Sequence, residues 1–306
     1  MIFIVYSETN SATIEENFGK SEYSYYFVLK EFLPLLERLG TVVTVTDPAR
    51  EVDPIYNRAI LDDEPCVFVS FTPPHWTPLD LACPTIPVFA WEYDTIPNET
   101  WFGERFQDWR FVLNKLGRAI THSNFSVRTV QAAIGQDFPI MSIPAPVWDR
   151  FATLRRPLEE SPVIQAVELS LDATVIDSRT VDWSIYSPQR QPVIGVVALP
   201  QAEDRGAAPA RLQIDGVIYT SIVSSYDDRK NCFDMLEGFC WALRDCEDAT
   251  LILKMGHNDS GRAIDALMQH LYMLTPFKCR VILIDGYLKG PEYERLMRST
   301  TFAVNT

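Results

Sequence analysis

Two adjacent cations, Arg229 and Lys230, are the clearest chemical signal in this chain, because they lie between an apolar run and an amphipathic stretch. The apolar run, 217–223, predicts a β-strand, and 229–243 has the apolar spacing of a helix. Positive side chains beside the N–H groups of a helix start favour an anion, such as a diphosphate leaving group that gains charge as a bond breaks. Without an anion, these cations oppose the helix macrodipole. A solvated pair at a helix start is the alternative.

Two further polar side chains follow strand-like runs. Lys254 ends the run LILK, and His122 comes directly after RAIT. Ligands of open parallel sheets bind at the carboxyl ends of the strands, so both side chains are placed for binding. Lys254 would help to hold the diphosphate, and His122 would contact a reacting hydroxyl. The alternatives are an edge lysine whose amine reaches solvent and a histidine with a purely structural role.

An acidic and aromatic loop, WEYDTIPNETW, follows the strand-like run 87–91. Aromatic faces such as those of Trp91 and Tyr93 stack on sugar rings, and the Glu92 carboxylate can accept hydrogen bonds from hydroxyl groups. The loop therefore favours a hydroxylated ligand, with Glu92 and His122 as candidate catalytic groups. Ordinary packing and loop capping are the alternative. Gly19 precedes a predicted helix, where a glycine lets a ligand approach the backbone.

These side chains reach a common edge only if the strands form a parallel sheet, and the sequence predicts such a sheet. Residues 1–150 alternate short apolar or β-branched runs, such as 2–6 and 66–71, with segments of helical spacing, such as 21–39. The same alternation resumes at residue 216. Strands alternating with helices are typical of an α/β fold whose sheet is covered on both faces.

Between these two parts, 151–213 is predicted to be a linker and an irregular insertion. Proline and charged residues interrupt its short apolar runs, as in SPQRQP and QAEDRGAAPAR. The predicted division is therefore 1–150, 151–213 and 214–306. The last residues, TTFAVNT, resemble a strand that reaches the ligand-binding edge with no helix after it. We therefore expect the second domain to be incomplete in this chain, or to be completed by another chain.

Composition excludes several classes of protein. The chain has 306 residues and a net charge of −14, which argues against a general nucleic-acid binder because DNA and RNA require a basic surface. The N-terminus has no basic segment followed by a long apolar run, so a signal peptide is not expected in this sequence. The six cysteines form no CxxC pair, and a metal site is not expected. The short motifs of dehydrogenases, P-loop NTPases, zinc proteases and serine hydrolases are lacking.

Taken together, the segments FAWEYDTIPNETW, RAITHSNFSVRTV, VIYTSIVSSYDDRKNCFDMLEGFCWAL and ATLILKM resemble bacterial glycosyltransferases of the GT-B type. The resemblance is to the large retaining "glycosyl transferases group 1" family, and it covers most of 1–150 and 214–306. It implies two Rossmann-like domains that face each other across a cleft. The first would hold the acceptor and the second the nucleotide-sugar donor.

The resemblance also assigns roles to single residues. Arg229 and Lys230 match the basic pair that contacts the donor diphosphate, His122 matches a histidine near the transferred sugar, and Gly19 lies in the glycine-containing loop. No metal and no cofactor are implied, since the nucleotide sugar is a co-substrate. The implied partners are that donor and a saccharide or lipid-linked acceptor. The implied location is cytoplasmic, including peripheral association with the inner face of the membrane during surface-polysaccharide synthesis.

The chain departs from the family pattern in two places. Many relatives have an Arg and a Gly before the basic pair, where this chain has Ser224 and Ser225. The family also carries an E-x7-E element beyond a strand like TTFAVNT, and this sequence ends before it. Transfer by this chain alone is therefore expected to be impaired. A non-catalytic GT-B-like binding module and a sugar-nucleotide epimerase of similar layout are the alternatives.

Overall fold

The structure, a computed structural model, describes residues 1–14, 23–152, 163–186, 209–224, 230–256 and 261–305. Contacts between Cα atoms divide the chain into two compact units, Met1–Asp149 and Arg150–Thr306. Each unit contains its own sheet and its own buried apolar clusters. The assignment of acceptor and donor roles to two domains stays a prediction.

The first unit consists of short strands that alternate with helices. Its strands are β1 (Ile2–Tyr6), β2 (Thr41–Thr44), β3 (Cys66–Phe71), β4 (Thr85–Phe89), β5 (Ala119–Thr121) and β6 (Ile140–Ser142). Its helices are α1 (Ser24–Leu39), α2 (Pro48–Leu61), α3 (Trp109–Leu116) and α4 (Asn124–Ile134), and α5 (Trp148–Ala152) lies at the boundary between the units. Single 3-10 turns occur at Pro74–Trp76, Trp101–Gly103 and Arg105–Gln107.

The sheet of the first unit has the order β2-β1-β3-β4-β5-β6, and all its strands are parallel. Residues on both sides of β1 and β3 are buried, because helices cover both faces of the sheet. The apolar runs of the sequence are thus explained by two-sided burial. The chain places β2 on one side of β1 and β3 on the other, so the carboxyl ends of β1 and β3 flank a topological switch point.

The second unit begins with antiparallel strands and continues as a parallel αβ series. Its strands are β7 (Ile164–Leu171), β8 (Thr174–Asp177), β9 (Ala210–Val223), β10 (Ala249–Met255), β11 (Arg280–Asp285) and β12 (Phe302–Ala303). Its helices are α6 (Cys232–Ala242), α7 (Gly261–Met273) and α8 (Gly290–Arg298). The sheet has the order β12-β9-β10-β11-β8, with β12, β9, β10 and β11 parallel and β8 antiparallel to β11.

The long strand β9 pairs with different partners along its length. Its first half pairs antiparallel with β7, and its second half pairs parallel with β10. Gly216 marks the change, with φ at +87°, and a Cβ atom there would lie 2.1 Å from the Asp248 carbonyl oxygen. Only glycine accommodates both the positive φ and the close backbone approach. The strand can therefore turn from one pairing to the other without a break.

The prediction that 151–213 is irregular is wrong for the residues that form β7, β8 and the start of β9. Strand β7 is half exposed, and all four residues of β8 are only partly buried. Their sequences consequently mix polar and apolar residues and lack the continuous apolar runs of the parallel strands. The α/β class itself is confirmed, with a wholly parallel sheet in the first unit and a mixed sheet in the second.

A buried ion pair attaches the antiparallel strand β8 to the parallel strands. The Arg280 guanidinium donates to both carboxylate oxygens of Asp177 at 2.5 to 3.1 Å and to the Gln213 carbonyl at 2.8 Å. The side chains are only 9% and 13% exposed. Three segments of the second unit therefore meet at one guanidinium group.

Candidate functional site

The carboxyl edge of the second sheet contains a topological switch point beside β9. From β9 the chain moves through β10 to β11 on one side, and it then returns to place β12 on the other side of β9. Open α/β sheets bind ligands in the crevice at such a point, outside the carboxyl ends of the strands. The loop after β9, which carries the predicted cations, therefore begins at the most favourable edge of this sheet.

Lys230 lies at that edge, immediately before helix α6. It is half-buried, and the next residue, Asn231, has the left-handed conformation with φ 42° and ψ 48°. The Asn231 side chain donates to Asp234 at 2.9 Å and does not cap the helix. The first-turn N–H groups of a helix attract anions, and Lys230 adds a positive charge beside them. Arg229 lies outside the described residues.

Lys254 is the buried cation of the same edge. It is next to last in β10, and its register partners are Ile222 on β9 and Ile284 on β11. Only 4% of the residue is exposed, and its neighbours along the strand are buried apolar residues. Burial lowers the pKa of the Lys254 amine to about 8, and the nearby Asp285 carboxylate opposes part of that shift. A lysine that is costly to bury, at a strand end, is a candidate for ligand binding.

In the first unit, the acidic and aromatic loop is attached to the start of α4. The Ser126 hydroxyl donates to the Trp91 carbonyl at 2.5 Å, and the Thr129 hydroxyl lies 3.4 Å from the Tyr93 carbonyl. The Trp91 indole donates to the Thr95 carbonyl at 2.7 Å, which closes the loop on itself. Glu92 is exposed in this loop. The bonds from Ser126 and Thr129 hold the loop after β4 against the first turns of α4, which directly follow the β5–α4 connection.

His122 occupies that connection, directly after β5. Its Nδ1 lies 2.9 Å from the Ile143 carbonyl, which can only accept, so Nδ1 carries the proton. In the neutral ring, Nε2 is then a lone-pair acceptor. Nε2 and the Thr121 hydroxyl are both buried and have no hydrogen-bond partner within the described part of the chain. Buried polar atoms of this kind, on consecutive residues at a strand end, point to a ligand group or a proton to be accepted.

The structure therefore brings the predicted residues together in two groups. Trp91, Tyr93 and His122 lie on linked segments at the carboxyl edge of the first sheet, and Lys230 and Lys254 lie at the carboxyl edge of the second. Gly19 is outside the described residues, as is Arg229.

Two contributors to these groups were not predicted as site residues. Ser123 caps α4, and the hydroxyl of Ser126 in its first turn binds the Trp91 carbonyl. Asp285 ends β11 opposite Met255, beside the end of β10. A charged residue at the end of the apolar run RVILID is the same signal that singled out Lys254, and it could have identified Asp285.

A cavity of about 530 Å³ lies at the opposite, amino-terminal edge of the second sheet. It is lined by two cations and three acids whose charges largely offset one another: Arg179, Lys278, Asp215, Glu247 and Asp248, together with Gly216. One of the two cations is already bound within the cavity wall, because the Arg179 guanidinium donates to the Glu247 carbonyl. The cavity lies far from the strand ends that carry the buried lysine.

Among the residues that the structure describes, no cluster of three or more His, Cys, Asp or Glu side chains could hold a metal ion. In that same part of the chain, no helix combines the length and the apolar character needed to cross a bilayer. The sequence matches no protein-family model and no curated protein.

Proposed function

We propose that this protein is a glycosyltransferase of the GT-B type, which moves a sugar from a nucleoside-diphosphate donor to a saccharide or lipid-linked acceptor. The observation that carries the proposal is the presence of Lys230 and buried Lys254 on neighbouring segments, at the carboxyl ends of the parallel strands of the second sheet, next to a switch point. Two cations and a helix start at such an edge suit a diphosphate better than a neutral ligand.

The chemistry follows from the charge that develops on the donor. When the bond between the sugar and the diphosphate breaks, negative charge grows on the departing phosphate oxygens. Lys230 would stabilise that charge from the start of α6, and Lys254 would do so from a site with little water. Electrostatic stabilisation is strongest where the charged groups are held in place before the reaction and are shielded from solvent. The diphosphate would in turn favour the protonated form of Lys254.

The first unit would bind the acceptor. Trp91 and Tyr93 would stack on sugar rings, and the exposed Glu92 carboxylate would accept hydrogen bonds from sugar hydroxyls. His122 has the tautomer required of a proton acceptor, because Nδ1 is committed to the Ile143 carbonyl. It would accept a proton from the acceptor hydroxyl or hold that hydroxyl near the transferred sugar.

Binding of a nucleoside diphosphate tests the donor site directly. We expect the purified chain to bind UDP or GDP in calorimetric titrations and Lys230→Ala to weaken that binding by about 10- to 100-fold, the usual cost of a charge-assisted contact. The matched control is Lys278→Ala, which removes an exposed lysine at the opposite edge of the same sheet. Equal affinities of the Lys230→Ala variant and the control would remove the basis of the proposal.

His122 is tested by turnover of the donor. We expect His122→Asn to lower the rate of nucleoside-diphosphate release from a matching nucleotide sugar by about 10²- to 10⁴-fold, the usual contribution of a general base. The asparagine amide can keep the bond to the Ile143 carbonyl, so the fold and the donor affinity should be unchanged. Release of the diphosphate is followed by coupled assay, and donor affinity by titration. A rate equal to that of the unaltered chain would assign His122 a structural role.

The same assay separates the two alternatives. A non-catalytic binding module would bind the diphosphate but release none from any donor. An epimerase would change the configuration of the sugar while the sugar stays attached to its nucleotide, which chromatography of the sugar nucleotides detects.

A further inference from the structure

Five aromatic rings form a continuous series along the carboxyl edge of the first sheet. We name this series the aromatic ladder. The order is Tyr93, Trp91, Trp109, His75 and Trp76, and successive ring centroids are 5.0, 4.5, 5.9 and 5.5 Å apart. Trp109 in the middle is buried, whereas Tyr93 at one end is 45% exposed and Trp76 at the other is 41% exposed. The ladder therefore presents two solvent-facing aromatic ends that are joined by a packed centre.

Hydrogen bonds fix the three central rings of the ladder in place. The Trp109 indole donates to His75 Nδ1 at 3.0 Å, and the Trp91 indole donates to the Thr95 carbonyl at 2.7 Å. The backbone of Trp91 is held in turn by the Ser126 hydroxyl. The two exposed end rings each pack against one of these fixed rings, so a ligand that stacks on the ends loses less of its binding free energy to ordering the series. This distinguishes the ladder from single exposed aromatics elsewhere on the surface.

The length of the ladder excludes a monosaccharide as its full occupant. A pyranose ring has about the size of one phenol ring, and three rings lie between the exposed ends at Tyr93 and Trp76. One sugar therefore covers about one ring of the series. A chain of several sugars can stack on both ends and pass over the packed centre.

The charge of the neighbouring chain selects a neutral ligand. The segment 90–108 contains two rings of the ladder, Trp91 and Tyr93, and ends just before a third, Trp109. It has five acidic residues and one basic residue. That base, Arg105, already lies over the Phe111 ring at 4.4 Å, and the next base, Arg110, binds the Asp108 carboxylate. The carboxylates can accept hydrogen bonds from sugar hydroxyls, but they repel phosphate, sulfate and anionic lipid headgroups.

From this arrangement we infer that the aromatic ladder binds a neutral oligosaccharide of several sugar units, which serves as the acceptor of the reaction. The role as acceptor rests on the proposed glycosyltransferase function, whereas the binding of the oligosaccharide does not. The sugar chain lies along the ladder from Tyr93 to Trp76, and one of its ends receives the transferred sugar.

Calorimetric titration of the full chain without donor tests the binding step. The probes are the glucose-based cello- and malto-series and the N-acetylglucosamine-based chito-series, each from monosaccharide to hexasaccharide. We expect affinity in at least one series to rise with length until both ends of the ladder are covered. Trp76→Ala and Tyr93→Ala should each weaken binding of the longer members by about 5- to 30-fold, the usual loss for an aromatic contact. Trp76→Phe, which keeps a ring, should restore most of the affinity.

The matched control is Trp241→Ala, which removes a tryptophan of the second unit that is 63% exposed. It should leave oligosaccharide binding unchanged. Absence of binding in all three series, equal affinity for monosaccharides and longer chains, or preferential binding to phosphatidylglycerol vesicles would each overturn the inference. Titration of the same preparation with UDP and GDP keeps the two proposals apart. Nucleotide binding without oligosaccharide binding would reject only the ladder, and the reverse result would reject only the donor site.

Discussion

Replacing Lys254 with methionine is expected to weaken nucleoside-diphosphate binding by more than about 30-fold and to stabilise the ligand-free protein by about 1–3 kcal/mol. Lys254 is 4% exposed, and its burial lowers the pKa of its amine from 10.5 to about 8. The protein therefore carries a charge that folding disfavours, and methionine fills a similar volume without that charge. Improved stability together with lost binding is the behaviour of a residue kept for function.

The pH dependence gives this prediction a second readout. The folded pKa of Lys254 is about 8 and the unfolded value is near 10.5, so the unfolded chain binds the extra proton between these values. The stability of the unaltered protein should then rise with pH across this window, and the gain from Lys254→Met should be complete below pH 8 and shrink above it. Affinity for the diphosphate, which needs the protonated amine, should fall as the pH rises through about 8.

Denaturant unfolding and UDP or GDP titration at a series of pH values measure both effects. Lys278→Met serves as the control, because that side chain is 58% exposed and should change neither quantity appreciably. Unchanged affinity in Lys254→Met, or lower stability at pH 7, would show that the amine has a structural role.

The second large effect concerns the buried ion pair between Asp177 on β8 and Arg280 on β11. Replacing its acid in Asp177→Ala should destabilise the second unit by about 3–5 kcal/mol. The Arg280 side chain is only 9% exposed, and it would lose both carboxylate oxygens while its charge stayed buried. The lost contact also attaches β8 to β11, so the edge strand should detach first. Denaturant unfolding followed by circular dichroism gives the free energy, and hydrogen exchange reports the loss of protection in β8.

An exposed pair in the same unit is the matched comparison. Arg211 and Glu168 are 3.7 Å apart, and their side chains are 82% and 62% exposed. Glu168→Ala should therefore cost less than about 1 kcal/mol. In the double variant Asp177→Leu with Arg280→Met, apolar packing replaces the buried charges and should restore most of the stability. A small effect of Asp177→Ala would mean that water reaches the guanidinium on loss of its partner.

The parallel strands were predictable because their burial is two-sided. β1 and β3 occur at the predicted bounds, and the segment after 216 alternates as expected. The pair β7 and β8 escaped prediction because β7 is half exposed and β8 is only partly buried, and Gly216 could not be recognised as the point where β9 changes partner.

The candidate site was likewise predictable from the sequence only in part. The residue types at the strand ends, Lys230, Lys254 and His122, could be found from the sequence, because a polar residue after an apolar run marks the edge of a parallel sheet. The proton position on His122 and the order of the rings between Tyr93 and Trp76 depend on contacts between residues far apart in the chain.

The sequence by itself determined the α/β class, the positions of the buried parallel strands and the chemical types at their carboxyl ends. These properties are local, since a strand buried on both faces must be apolar along its length and a charge can appear only where it ends. The tertiary structure alone decided that β12 returns beside β9, that Lys254 is enclosed and that separate loops join into one aromatic ladder. Burial and ring packing depend on which distant segments meet, and no local pattern encodes that meeting.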